Sequence, residues 1–80
     1  MPSEEAGKAK TEGLVERIDR HKDGTTRAKG QTLDGELHGY WEWYRKDGSL
    51  MRSGSFDRGD QVGTWTTYAR DGRVVKVTEF

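Results

Sequence analysis

This sequence predicts an all-β fold, an antiparallel meander of about six short strands built from tandem hairpins. Three observations predict it: a 24-residue repeat, turn formers along that repeat, and aromatic side chains placed to pair across hairpins. A shift of 24 residues places Gly35 on Gly59, Gly39 on Gly63, Trp41 on Trp65, Tyr44 on Tyr68, Asp47 on Asp71, Gly48 on Gly72 and Phe56 on Phe80. Seven of 22 compared positions are identical, and all are Gly, Trp, Tyr, Asp or Phe. Leu50 over Val74 and Glu36 over Asp60 are conservative matches. Turn formers and large aromatics recurring together mark a true repeat, spanning 35–56 and again 59–80.

The elements follow in order. Residues 1–12 carry only small and charged side chains after Met1. They cannot bury enough apolar area to offset the entropy of ordering, which predicts a disordered leader. The domain then runs over 13–80. Its first part, 13–34, is a degenerate half-repeat: Asp23, Gly24 and Gly30 match Asp47, Gly48 and Gly54, whereas Arg17 and Arg20 replace Trp41 and Tyr44. Capping units of repeat proteins lose core-facing residues in this way. Leu14 and Ile18 are spaced for a helix, but the repeat frame and the following Asp23-Gly24 turn favour a strand over 14–20.

Lys22-Asp23-Gly24, Lys46-Asp47-Gly48 and Arg70-Asp71-Gly72 read as hairpin loops. In each, a type I turn ends on a left-handed residue, which Gly tolerates because it has no Cβ to clash. The Asp before it can bond its own backbone. Leu33-Asp34-Gly35 and Asp57-Arg58-Gly59 read as the return turns, so turns fall about every 12 residues. With Lys46-Asp47-Gly48 as the loop, Tyr44 should face Leu50, Trp43 should face Met51 and Glu42 should face Arg52. In the second copy Tyr68 should face Val74, and Trp65 should face Val77. Trp41 and Tyr44 lie three apart, so either the sheet carries aromatics on both faces or a bulge re-aims one.

Composition narrows the function. Of 80 residues, 30% are hydrophobic and 35% are charged, with 14 basic against 14 acidic side chains. The signs also balance locally, so no half of the chain offers the basic field that phosphate backbones or anionic lipids require. No cysteine is present, which excludes disulfides, a thiolate nucleophile and Cys-based zinc sites. No apolar run approaches the length of a membrane span, and none after Met1 suits a signal peptide. A cytoplasmic protein without membrane or nucleic-acid partners is the expectation.

The pattern from Gly35 through Gly39, Trp41, Tyr44, Asp47 and Gly48 to Phe56, repeated from Gly59 to Phe80, resembles the MORN-repeat variant of the YwqK-like antitoxin family. The resemblance is convincing over 35–80 and extends at its widest to 23–80. It implies tandem antiparallel hairpins in one elongated, twisted sheet. It also implies a protein-interaction role, and for some relatives one as antitoxin or immunity partner to a toxin. The match is to a framework, so it carries over no catalytic or binding residues.

Six of the eight aromatics, Tyr40, Trp41, Trp43, Tyr44, Trp65 and Tyr68, suit a sheet core because such rings pack well on a pleated surface. The same rings suit a partner-binding face. Tyr40 and Trp43 have Thr64 and Thr67 as counterparts, and framework residues should recur, so these two favour the second role. The candidate partner-binding set is Tyr40, Trp41 and Trp43 as anchors, Glu42 and Arg52 as rim, with Met51 and Trp65 alongside. Asp23, Gly24, Asp47, Gly48, Gly59, Asp71 and Gly72 are assigned to turns. A single-layer sheet cannot cover both its faces, which predicts a homodimer.

Catalysis, cofactors and metals find no support. His21 and His38 lie in turn regions without ligand spacing and should be solvent-exposed. Asp34, Asp47, Asp57, Asp60 and Asp71 each adjoin a turn. The expected function is a non-enzymatic interaction module, antitoxin-like or immunity-like, binding a protein through an aromatic face or edge strand. The alternatives are a carbohydrate- or cell-wall-binding module and a structural self-assembly unit.

Overall fold

The computed structural model describes residues 13–80. The leader expected over 1–12 lies outside the described residues. Six strands follow one another: β1 (Leu14–Arg20), β2 (Thr26–Leu33), β3 (Glu36–Tyr44), β4 (Leu50–Asp57), β5 (Asp60–Tyr68) and β6 (Val74–Glu79). They form one open antiparallel sheet in sequence order, each strand paired with its chain neighbours. The segment over 14–20 is thus a strand, and the meander is the one the turn spacing predicts.

Two kinds of turn alternate. The three Asp-Gly loops close by a glycine at φ 93°, 90° and 91° (Gly24, Gly48, Gly72). In each loop the Asp carboxylate accepts the backbone N–H two residues on: Thr25 N at 3.0 Å, Ser49 N at 2.9 Å and Arg73 N at 2.9 Å. The return turns hold positive φ at both central residues, 50° and 86° for Asp34-Gly35 and 49° and 93° for Arg58-Gly59. This is the type I′ geometry, whose twist matches that of the strands it joins.

Tyr44 pairs with Leu50 and Tyr68 with Val74, as the loop chemistry predicts. Beyond that first pair the predicted register is corrected. Trp43 faces Arg52 rather than Met51, Glu42 faces Ser53 rather than Arg52, and Trp65 faces Thr78 rather than Val77. The register slips between Trp43 and Tyr44 and between Thr67 and Tyr68, leaving Met51 and Val75 as extra residues on the returning strands. Arg27 is the extra residue in the first hairpin, where the slip falls between Asp19 and Arg20. A bulge of this kind bends its strand and increases the local right-handed twist.

A second irregularity defines the core. Lys29 pairs with Glu42 and Gln31 with His38, so Gly30 alone spans Gly39-Tyr40-Trp41. In the same way Gly54 spans Gly63-Thr64-Trp65, between the pairs Ser53–Thr66 and Ser55–Val62. Gly39 and Gly63 sit at φ 78° and 71°, which L side chains rarely adopt. The distortion lays each indole across the preceding strand. Trp41 donates its N–H to the Gln31 carbonyl at 2.9 Å, and Trp65 donates to the Ser55 carbonyl at 3.1 Å. Their exposures are 1% and 4%. Burying an indole of about 200 Å² contributes up to about 5 kcal/mol. With Ala28, these two rings are the buried apolar side chains among the described residues.

Successive hairpins are also hooked together. His21 donates from Nε2 to the Tyr44 carbonyl at 3.0 Å, and Arg45 donates to the Tyr68 carbonyl. The donors and the acceptors are each 24 residues apart. His21 and His38 were expected in solvent, but both are half-buried. His21 is drawn in by its hook, and the Nδ1 of His38 accepts the Arg58 backbone N–H at 3.1 Å.

Candidate functional site

Because the bulge beside the loop lies on the returning strand and β3 pairs regularly with β4 from Gly39 to Trp43, β3 alternates over those residues and the sheet carries aromatics on both faces. One face presents Trp41, Trp43, Phe56, Trp65 and Phe80. The other presents Tyr40, Tyr44 and Tyr68.

On the tyrosine face the rings are tied to polar groups. Glu42 accepts the Tyr40 hydroxyl at 2.9 Å and also accepts the Tyr44 hydroxyl. Tyr68 shares a hydrogen bond of 3.3 Å with Ser53, which is buried. The Glu42 carboxylate and partial burial push the Tyr44 phenol up to about 12. The Tyr40 phenol is also raised, by burial first and then by Glu42. The three tyrosine hydroxyls of this face thus already have partners.

The tryptophan face is different in kind. Trp41 and Trp43 stack with centroids 6.0 Å apart at 28°, and Trp43 lies 5.3 Å from Trp65 at 32°. Phe56 meets Trp65 edge-on at 5.1 Å and Trp41 at 6.4 Å. Phe80 extends the row, 6.2 Å from Trp65 at 74°. Offset and edge-to-face pairs of this kind are each worth about 0.5–1.5 kcal/mol beyond area burial. The Arg52 guanidinium caps the row, 4.9 Å from the Trp43 ring centroid and 5.4 Å from that of Trp65.

The sequence-derived set therefore divides between the two faces. Trp41, Trp43, Arg52 and Trp65 come together, while Tyr40 and Glu42 stand on the opposite face. The predicted Glu42–Arg52 rim pair does not form, because the one-residue bulge at Met51 turns Arg52 to the tryptophan side. Trp41 is buried, and Tyr40 is 54% exposed and hydrogen-bonded to Glu42. Phe56 and Phe80 complete the row although neither belongs to the sequence-derived set, and the alternation of Phe56 with Gly54 and Arg52 is the signal for the first. Gly30 and Gly54, each 11 residues before a recurring Trp, were the signal for the indole seats.

Among the described residues no group of three or more His, Asp or Glu side chains is placed to hold a metal ion. The Asp residues of the loops are engaged in their own turns. No helix of the described residues is long and apolar enough to cross a membrane. Comparison with known protein families, with curated proteins and with solved structures finds no match.

Proposed function

We propose that this chain is a non-enzymatic protein-interaction module whose partner docks across the tryptophan face. The row from Trp43 through Phe56 to Phe80 on the open side of a one-layer sheet carries the reading. Its buried members fix the row rigidly, and its outer members remain accessible, Phe80 at 60%. Rigid aromatic anchors of this kind lose little side-chain entropy on binding and dominate interface energetics. The resemblance to the YwqK-like repeat supports a role of the antitoxin or immunity type, in which a toxin surface is covered sterically.

Arg52 lies over the Trp43 ring face on which a sugar would stack, and this favours a protein partner over a carbohydrate. A homodimer is the second reading, supported by the exposed Val74, Val75 and Val77 on the edge strand β6. Affinity capture from the native host, with cross-links mapped by mass spectrometry, tests both. One protein cross-linked to the tryptophan face and lost with Trp43→Ser supports the first reading. Cross-links confined to the tyrosine face, or retention of glycan alone, overturn it. A dimer in sedimentation that persists with Trp43→Ser but dissociates with Val75→Lys supports the second.

A further inference from the structure

We propose that the occupant of the tryptophan face is an acidic segment of another protein, its carboxylates held by Arg52 and Lys76 above an aromatic floor. This rests on reading that face as a docking surface, and it adds the chemistry of the partner. Between β4 and β6 lies an open hollow of about 240 Å³, lined by Arg52, Gln61, Trp65, Thr67, Lys76, Thr78 and Phe80. It combines an apolar base, two hydroxyls and two cations.

The two cations are repeat equivalents. Arg52 and Lys76 lie 24 residues apart, so the same fold position carries a positive charge in both full repeats. Neither forms an ion pair among the described residues, whose pairs involve Arg17, Arg27, His38 and Arg70. Arg52 instead lies over two indoles, a contact that restrains its guanidinium, the side chain best shaped to grip a carboxylate with two N–H groups.

Strand register removes the acids from this face. Glu16, Glu36, Glu42 and Glu79 project to the tyrosine side. Asp19 projects to the tryptophan side, where Arg17 holds it at 3.0 Å and Arg27 at 3.9 Å. A chain with no net charge thus presents a cationic aromatic surface. A second copy stacked on this face would bring like charges together, and like-charge juxtaposition suppresses such pairing. An acidic segment answers both the charge and the apolar floor.

Panning a random-peptide phage library on the immobilised full chain tests this. The selected peptides should be enriched in Asp and Glu beside apolar residues. Their binding should weaken as salt rises, and Arg52→Gln or Lys76→Gln should each weaken it about threefold to tenfold. Cooperative thermal melts followed by far-ultraviolet circular dichroism verify that the variants fold, since Arg52→Gln itself changes the surroundings of two indoles, and the salt dependence requires no variant. Selected peptides that lack acids but lose binding with Trp43→Ser leave the docking face standing and overturn the acidic partner. Peptides indifferent to Trp43→Ser, or no enrichment at all, overturn both. Oligothymidylate bound more tightly than the peptides through the same residues would overturn the acidic partner in favour of nucleic acid.

Discussion

The indole of Trp41 rests on the bare backbone of Gly30, so close that a Cβ at that position would stand 2.1 Å from the ring. The second repeat reproduces the contact, with 2.1 Å between a Cβ at Gly54 and the Trp65 ring. In both places the obstacle is a rigid, buried ring that also donates a hydrogen bond to the neighbouring carbonyl. The fold therefore depends on glycine here for lack of volume, since neither Gly30 nor Gly54 has a positive φ.

Gly30→Ala and Gly54→Ala should each destabilise by about 3 kcal/mol, the upper range for an overpacked site. For a domain this small that is a large share of its total stability. Gly48→Ala offers the contrast. Its Cβ would meet nothing within 4 Å, but φ is 90°. The expected cost is about 1–2 kcal/mol, from backbone strain alone. Urea melts followed by Trp fluorescence distinguish these, and equal losses at Gly30 and Gly48 would refute the packing account.

Much of this fold was legible because turn chemistry is local. Asp47-Gly48 and Asp71-Gly72 specify their loops through one carboxylate and one positive φ, which needs no knowledge of the rest of the chain. The first cross-strand pairs, Tyr44–Leu50 and Tyr68–Val74, followed from those loops. The site was less legible because it depends on register, which a single extra residue resets. Met51 is that residue. It moved Arg52 away from Glu42 and onto Trp43, separating the expected rim and assembling the cationic row. The seating of Trp41 on Gly30 joins residues 11 apart through a distortion at Gly39, and no local propensity encodes such a contact.

The Asp47 loop makes stability sensitive to acid. Ser49 gives the Asp47 carboxylate its hydroxyl at 2.7 Å and its amide at 2.9 Å, and Arg70 lies 3.2 Å away. The Ser49 hydroxyl first, then its amide, then the nearby arginines hold this carboxyl below its usual 3.8. Asp23 is lowered by the same contacts from Thr25. A carboxyl depressed on folding stabilises above its unfolded value, and that contribution disappears as pH falls through the folded one. Thermal melts should therefore shift down as pH drops below 3.8. Asp47→Asn should flatten that shift, and the Asp47 carboxyl carbon should titrate below 3.8 by NMR. Ser49→Ala should move that midpoint back up. A midpoint unchanged by Ser49→Ala would show that the loop bond does not govern it.

Tyr44 supplies the opposite sign at alkaline pH. Its phenol donates to Glu42, and ionising it would place a phenolate against a carboxylate that already accepts a second phenol from Tyr40. Its value of about 12, against the ordinary 10.0, reflects the Glu42 hydrogen bond first and partial burial second. A phenol raised on folding contributes stability that is complete below 10.0 and lost as pH climbs toward 12. Tyrosinate absorbance should accordingly resolve a late-titrating phenol in the folded protein. Glu42→Gln keeps the side-chain shape and removes the charge, so it should bring that late phase down and lessen the alkaline loss of stability. Because Glu42 lies on the face away from Trp43, the same variant should leave the peptide binding of the tryptophan face unchanged. A late phase that persists in Glu42→Gln would assign the shift to burial rather than to the carboxylate.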